Sequence, residues 1–157
     1  MHPGFEYVLW FLLITASVTD LMRGKIYNLV TLPAILLGLI AQTWVFGISA
    51  VPTILMSVGT ALLLFFPLYL IKAMAAGDVK LLMAFSAWSN SFEVFRMAII
   101  SVCIGALVGL VILLKKNGLK KSTREFVQFK TRIPFGPAFL CAFMLIKIMD
   151  LKGWKVF

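Results

Sequence analysis

This sequence predicts an all-α polytopic membrane protein of about six transmembrane helices, with both termini outside, and three observations predict it. Apolar residues fill 62% of the 157 positions and mean hydropathy is +1.03, well above the roughly half-apolar content of soluble domains. The apolar residues gather into runs near the roughly 17 to 25 residues that cross a hydrocarbon core. When successive loops are assigned to alternate faces, eleven of the fifteen Lys and Arg fall on one side.

The first run, Phe5 to about Met22, carries Glu6 and Asp20 at its ends. No Lys or Arg precedes it and Arg23 and Lys25 follow it, the flanks of a retained helix rather than a cleaved leader. Leu29 to Ile48 and Val51 to Ile71 are clear runs. The fourth, Lys80 to about Phe95, is strongly apolar only from Leu81 to Trp88, before Ser89, Asn90, Ser91 and Glu93 interrupt it. Met97 to Leu114 is clear again, and Ile133 to Met149 carries Pro134 and Pro137 in its first turns, where proline can start a helix without breaking it. Runs short of full thickness are accommodated by bilayer thinning and snorkelling. With no internal repeat and no linker long enough for a second domain, residues 1–157 read as a single membrane-embedded domain.

Orientation follows from the cations, because cytoplasmic flanks carry the Lys and Arg excess. With the N-terminus outside, Arg23, Lys25, Lys72, Lys80, Lys115, Lys116, Lys120, Lys121, Arg124, Lys130 and Arg132 lie inside, against Arg96, Lys147, Lys152 and Lys155 outside. The stretch from Lys115 to Arg132 holds seven cations and one acid, Glu125. Such a segment suits nucleic acid or anionic lipid, but a positive-inside loop is the simpler reading, so the bilayer is expected as a partner and nucleic acid is not.

Composition narrows the chemistry. The single histidine, His2, sits at the extreme terminus on the predicted outer side, so Ser-His, Cys-His and HExxH sites lack a base or ligand. Cys103 and Cys141 lie in separate apolar runs and read as packing residues, so neither a zinc site nor any other metal or cofactor is expected. Carboxylates remain. Glu6, Glu93 and Asp150 fall towards the outer side and Glu125 lies in the basic loop, whereas Asp20 and Asp78 sit at the inner ends of predicted spans.

An acid at membrane depth is costly and is a functional candidate by default. Two close carboxylates share one proton over coupled titrations, so one activates water while the other protonates a carbonyl. Each acid also has a structural alternative: Asp20 can pair with Arg23 three residues on, and Asp78 can cap a helix after Gly77. Asp20 lies near a helix C-terminus, where the macrodipole opposes negative charge, and Asp78 near an N-terminus, which favours it; the shared proton is therefore expected more often on Asp20. Paired membrane acids also serve ion pathways, and a small ion- or proton-conducting protein stays open on composition alone.

The segment Asp20-Leu-Met-Arg23-Gly-Lys25-Ile26-Tyr27-Asn28 resembles the first catalytic segment of type IV prepilin peptidases. Ala75-Ala76-Gly77-Asp78-Val79-Lys80 resembles their GxGD segment with its following valine and lysine, and Arg132-Ile133-Pro134-Phe135-Gly136-Pro137 is similar to the stretch entering their last helix. The resemblance runs from about Asp20 to residue 145. It implies an aspartyl endopeptidase with Asp20 and Asp78 as the catalytic pair, removing a short basic leader from prepilin or pseudopilin precursors at the cytoplasmic face of the bacterial or archaeal inner membrane. It also implies the short, peptidase-only members associated with Tad/Flp-type pili, since the chain has no room for the methyltransferase insertion of larger relatives.

Arg23, Lys25, Asn28, Gly77 and Lys80 are the expected supporting residues. Asn28 can cap the helix beginning near Leu29, and Gly77 can allow an unusual turn before Asp78. Lys80 can hold the pair's charge or the scissile carbonyl, or it can snorkel to lipid phosphate. Two positions depart from the pattern: Ala75 replaces the first glycine of GxGD, and Tyr27 replaces the usual proline before Asn28. If position 75 needs left-handed backbone, alanine there strains or reshapes the loop. An inactive pilus or secretion assembly factor is the corresponding alternative.

Overall fold

A computed structural model describes residues 3–117 and 135–153. It contains α1 (Pro3–Arg23), α2 (Asn28–Phe46), a 3-10 turn (Ile48–Ala50), α3 (Val51–Leu70), α4 (Ala76–Ser86), α5 (Ser91–Asn117) and α6 (Phe135–Leu151). Among the described residues there is no strand, and the all-helical membrane class is the one the sequence predicts. Gly4–Arg23, Asn28–Phe46, Ile48–Leu70 and Ser91–Ile112 are long and apolar enough to cross a membrane. His2, Glu125, Lys155, the basic stretch beyond Asn117 and the first three residues of the Arg132–Pro137 segment lie outside the described residues.

The fourth run departs most from expectation. α4 has 11 residues, a rise of about 16 Å, roughly half a hydrocarbon core. The residues expected to interrupt one span instead begin the next helix. Asn90 caps α5: its Oδ1 accepts the Glu93 N–H at 2.9 Å and its carbonyl accepts the Val94 N–H, so α5 starts at Ser91. In α6, which has 17 described residues, Pro137 falls in the first turn as expected.

Each helix buries one stripe. On α1, Leu9, Leu12, Leu13, Ala16, Ser17 and Asp20 are buried, a spacing that places them on one face, and α1 packs chiefly on α6, with Trp10 edge-on to Phe143. α5 presents Ala98, Ser101, Gly105 and Gly109 inward; such small residues let neighbouring backbones approach in a bilayer. Phe135 of α6 occupies the space at Gly105, where a Cβ would overlap its ring. α2 packs on α4 at Gly38, where an added Cβ would stand 2.8 Å from the Ala87 carbonyl and 2.9 Å from Trp88 Nε1. The same contact is held by Trp88 donating to the Ala34 carbonyl and Gln42 to the Ala87 carbonyl. Leu29, Leu36, Ile40, Trp44, Leu55, Met56 and Leu63 point outward from α2 and α3, the surface that hydrocarbon covers.

The helices alternate in direction and so define two ends. At one, α1 begins and α6 finishes: Lys147 pairs with Glu6, and buried Arg96 of α5 donates to Asp150 at 2.9 Å and to Glu93 at 3.4 Å. Phe5, Phe46 and Trp88 stack edge-to-face beside them. At the other end meet the last turn of α1 and the first turns of α2, α4 and α6.

Candidate active site

α1 stops where Gly24 adopts φ 61° and its N–H reaches the Asp20 carbonyl at 2.8 Å; this left-handed step is cheap only for glycine. Asp20 lies one turn before it, 9% exposed. Its Oδ2 accepts the backbone N–H of Gly136, in the first turn of α6, at 2.8 Å. Arg23 does not pair with it. The guanidinium instead donates to Tyr27 Oη at 3.0 Å and lies over that ring, so the local ion pair that Asp20-x-x-Arg23 allows is not the one formed.

Asp78, 5% exposed, is the third residue of α4, and its Oδ2 accepts the N–H of Ala75 at 3.0 Å. It therefore caps the helix from within rather than preceding it: a side chain at this position reaches back to an otherwise unsatisfied donor. Both carboxylates accept a backbone N–H at a helix N-terminus. Asp20, near the C-terminus of α1, thus also meets the positive N-terminal end of α6.

The loops around the two aspartates interlock. Lys80 Nζ donates to Asn28 Oδ1 at 2.9 Å, and a Cβ on Gly77 would stand 3.1 Å from Ile26 Cβ. Two expectations are corrected here. Asn28 does not cap α2: it is the first helical residue, Tyr27 occupies the cap without a side-chain bond, and the amide takes a charge-assisted bond to Lys80 instead. Gly77 makes no unusual turn, since left-handed glycines among the described residues are Gly24, Gly47 and Gly153; its value is close approach to Ile26. Lys80 is thus tied to the start of α2, while Lys25 is exposed in the α1–α2 loop.

Neither departure from the family pattern distorts the backbone. Ala75 has φ −83°, ψ 153°, ordinary extended geometry that needs no glycine. Tyr27 has φ −81°, at the edge of the range proline imposes. The left-handed residue before α4 is Lys72, φ 60°. It closes α3 with its own N–H on the Tyr69 carbonyl and that of Ala73 on Leu68, a motif that normally uses glycine.

Gly136 is the residue to which sequence reasoning assigned no role. Its only signal was its place between Phe135 and Pro137 in the third matching segment. Thr31, one turn into α2, is also new: it is buried, and its hydroxyl has no hydrogen-bond partner among the described residues.

Taken together, these features define a helical membrane protein with two buried aspartates at one end of a bundle, each carboxylate fixed by a backbone amide. Such carboxylates can take a proton from water and give one to a carbonyl without metal or histidine. A profile described as the type IV leader peptidase family matches residues 7–110, and the chain belongs to that family. It is similar to prepilin leader peptidase/N-methyltransferases from Legionella pneumophila (35% identical over 170 aligned residues, 99% of this chain and 56% of the relative) and Xanthomonas campestris pv. campestris (31% over 151, 92% and 46%). One from Burkholderia pseudomallei is 29% identical over 136 residues, 83% of this chain and 41% of the relative. The chain spans about half the length of the curated relatives it matches. No solved structure matches it.

Proposed function

We propose that this chain is an aspartic endopeptidase that removes the leader from type IV prepilin or Flp/Tad-type prepilin-like precursors at the cytoplasmic face of the bacterial inner membrane. The observation that carries this reading is the burial of Asp20 and Asp78 at the one end of the bundle where the two family-like segments meet, through Asn28–Lys80 and Ile26–Gly77.

In the proposed reaction, one aspartate takes a proton from water as the oxygen attacks the scissile carbonyl carbon. The other, protonated, gives its proton to the carbonyl oxygen. As the tetrahedral diol collapses, one hydroxyl returns a proton to the second aspartate, the C–N bond breaks, and the first aspartate passes the proton taken from water to the leaving amine. A backbone amide at Oδ2 of each residue helps to fix its carboxylate. Lys80 and Asn28 hold the α1–α2 loop against α4, keeping the aspartate-bearing segments in register.

Among the described residues Arg23, Lys25, Lys72 and Lys80 gather at the aspartate end against Arg96, Lys147 and Lys152 at the other, and the alternating-loop assignment puts eleven of the fifteen Lys and Arg on the aspartate side. That imbalance supports a cytoplasmic site. The precursor's hydrophobic helix would lie in the bilayer beside the bundle with its basic leader at the inner headgroups.

Co-expression with a candidate prepilin tests the reading. Wild type should convert the precursor to a faster-migrating product, and Asp20→Asn and Asp78→Asn should each leave it uncut. Undiminished processing by either variant rejects the aspartate pair.

A further inference from the structure

Asp20 and Gly136 are 116 residues apart in sequence, yet their 2.8 Å hydrogen bond is buried. The fit around it admits only glycine: a Cβ at 136 would stand 2.9 Å from Asp20 Cβ, 3.0 Å from Ser17 Cα and 3.1 Å from the Ala16 carbonyl. Two of these three neighbours are α1 backbone and cannot swing aside. The first turn of α6 is thus pressed directly onto α1 at the level of the carboxylate. It is held there from behind, because the ring of Phe135 fills the space left by Gly105 of α5.

From this arrangement we infer that Gly136 is a positioning residue for the peptidase reaction. Its N–H fixes Asp20 Oδ2 and thereby selects Oδ1 as the oxygen that exchanges a proton with water or substrate. Resting on the aspartyl-peptidase reading above, the inference adds a third chain segment to the site, from α6, and a fourth contributor, Gly105, acting through Phe135. The chemistry is specific. A carboxylate held by one backbone donor cannot rotate about its Cβ–Cγ bond without losing a charge-assisted bond, so the working oxygen stays in one place between turnovers.

The test uses the purified full chain in proteoliposomes with a prepilin substrate. Gly136→Ala is the obvious variant but overpacks α1 and can fail to fold. A glycolate residue at position 136, introduced by nonsense suppression, keeps glycine's size and replaces the N–H by an ester oxygen. Its expected effect is a fall in kcat of about tenfold or more, the rate equivalent of one hydrogen bond to a charged group, with KM unchanged. A kcat equal to wild type, or a change confined to KM, overturns the inference. A second arm pairs Gly105→Ala, expected to lower kcat, with Phe135→Leu, expected to restore it in the double variant by making room for the methyl; lack of rescue overturns the role of Phe135. Asp20→Asn is assayed alongside. Cleavage by that variant overturns the aspartyl reading itself, whereas its inactivity beside a fully active glycolate chain leaves that reading intact and removes only Gly136.

Discussion

Gly38→Ala probes the contact on which α4, and therefore Asp78, is seated. The added methyl would stand 2.8 Å from the Ala87 carbonyl oxygen, 2.9 Å from Ala87 Cβ and 2.9 Å from Trp88 Nε1, where ordinary contacts are about 3.5 to 4.0 Å. Relief requires α2 and α4 to separate by roughly 0.6 Å or more on that count. Overpacking of this kind costs about 1 to 3 kcal/mol. The separation also stretches the bonds Trp88 Nε1 to Ala34 (2.8 Å) and Gln42 Nε2 to Ala87 (2.9 Å), which no lipid group can replace; interhelical bonds in membranes are worth about 0.6 to 2 kcal/mol. Against this stands the helix preference of alanine over glycine, about 1 kcal/mol. The net expectation is a loss of about 2 kcal/mol. The assay is unfolding in mixed micelles of increasing SDS fraction, followed by circular dichroism. Gly59→Ala is the control: nothing lies within 4 Å of a Cβ there, so it should be neutral or stabilising by up to about 1 kcal/mol. A Gly38→Ala protein as stable as Gly59→Ala would refute the packing argument.

The same titration reads five further single variants. Lys72→Gly should stabilise by about 1 kcal/mol, since it removes the side chain from a left-handed helix stop. Ala75→Gly should lower stability by about 0.5 kcal/mol through the unfolded chain and leave the rate of precursor cleavage unchanged; a rise in rate would show that extended backbone at Ala75 is a handicap. Arg96→Met should cost about 2 kcal/mol by leaving Asp150 and Glu93 without their cation, less than a fully buried pair because both acids are partly exposed. Asn28→Ala and Lys80→Met, singly and together, should show a coupling of about 1 kcal/mol or less, and strict additivity would dissolve the link.

Much of this protein is legible locally. Hydropathy shows α1, α2, α3 and α5 because a span is a contiguous run, and the flanking cations show which ends belong together. Asp20 and Asp78 stand out because acids are rare in such runs. What escaped is non-local or depends on backbone angles. Ser89, Asn90 and Ser91 look like polar damage to one long span, since nothing local distinguishes an interrupted helix from Asn90 capping a new one. Tyr27 and Ala75 look like defects until their φ values are known. The bond from Gly136 to Asp20 joins opposite ends of the chain, and no periodicity reports it. The cluster of Glu6, Glu93, Arg96, Lys147 and Asp150 was visible only as leftover charge on the outer side, although three acids beside two bases at the tips of spans was a signal for ion pairing.

The docking of α1 on α6 also sets when α1 can acquire its main packing partner during synthesis. Helices that enter the bilayer one after another leave α1 without its main neighbour until α6 has emerged, so Trp10 has no Phe143 to meet, Glu6 no Lys147 and Asp20 no Gly136. Every partially made chain is therefore short of the group that holds its first aspartate.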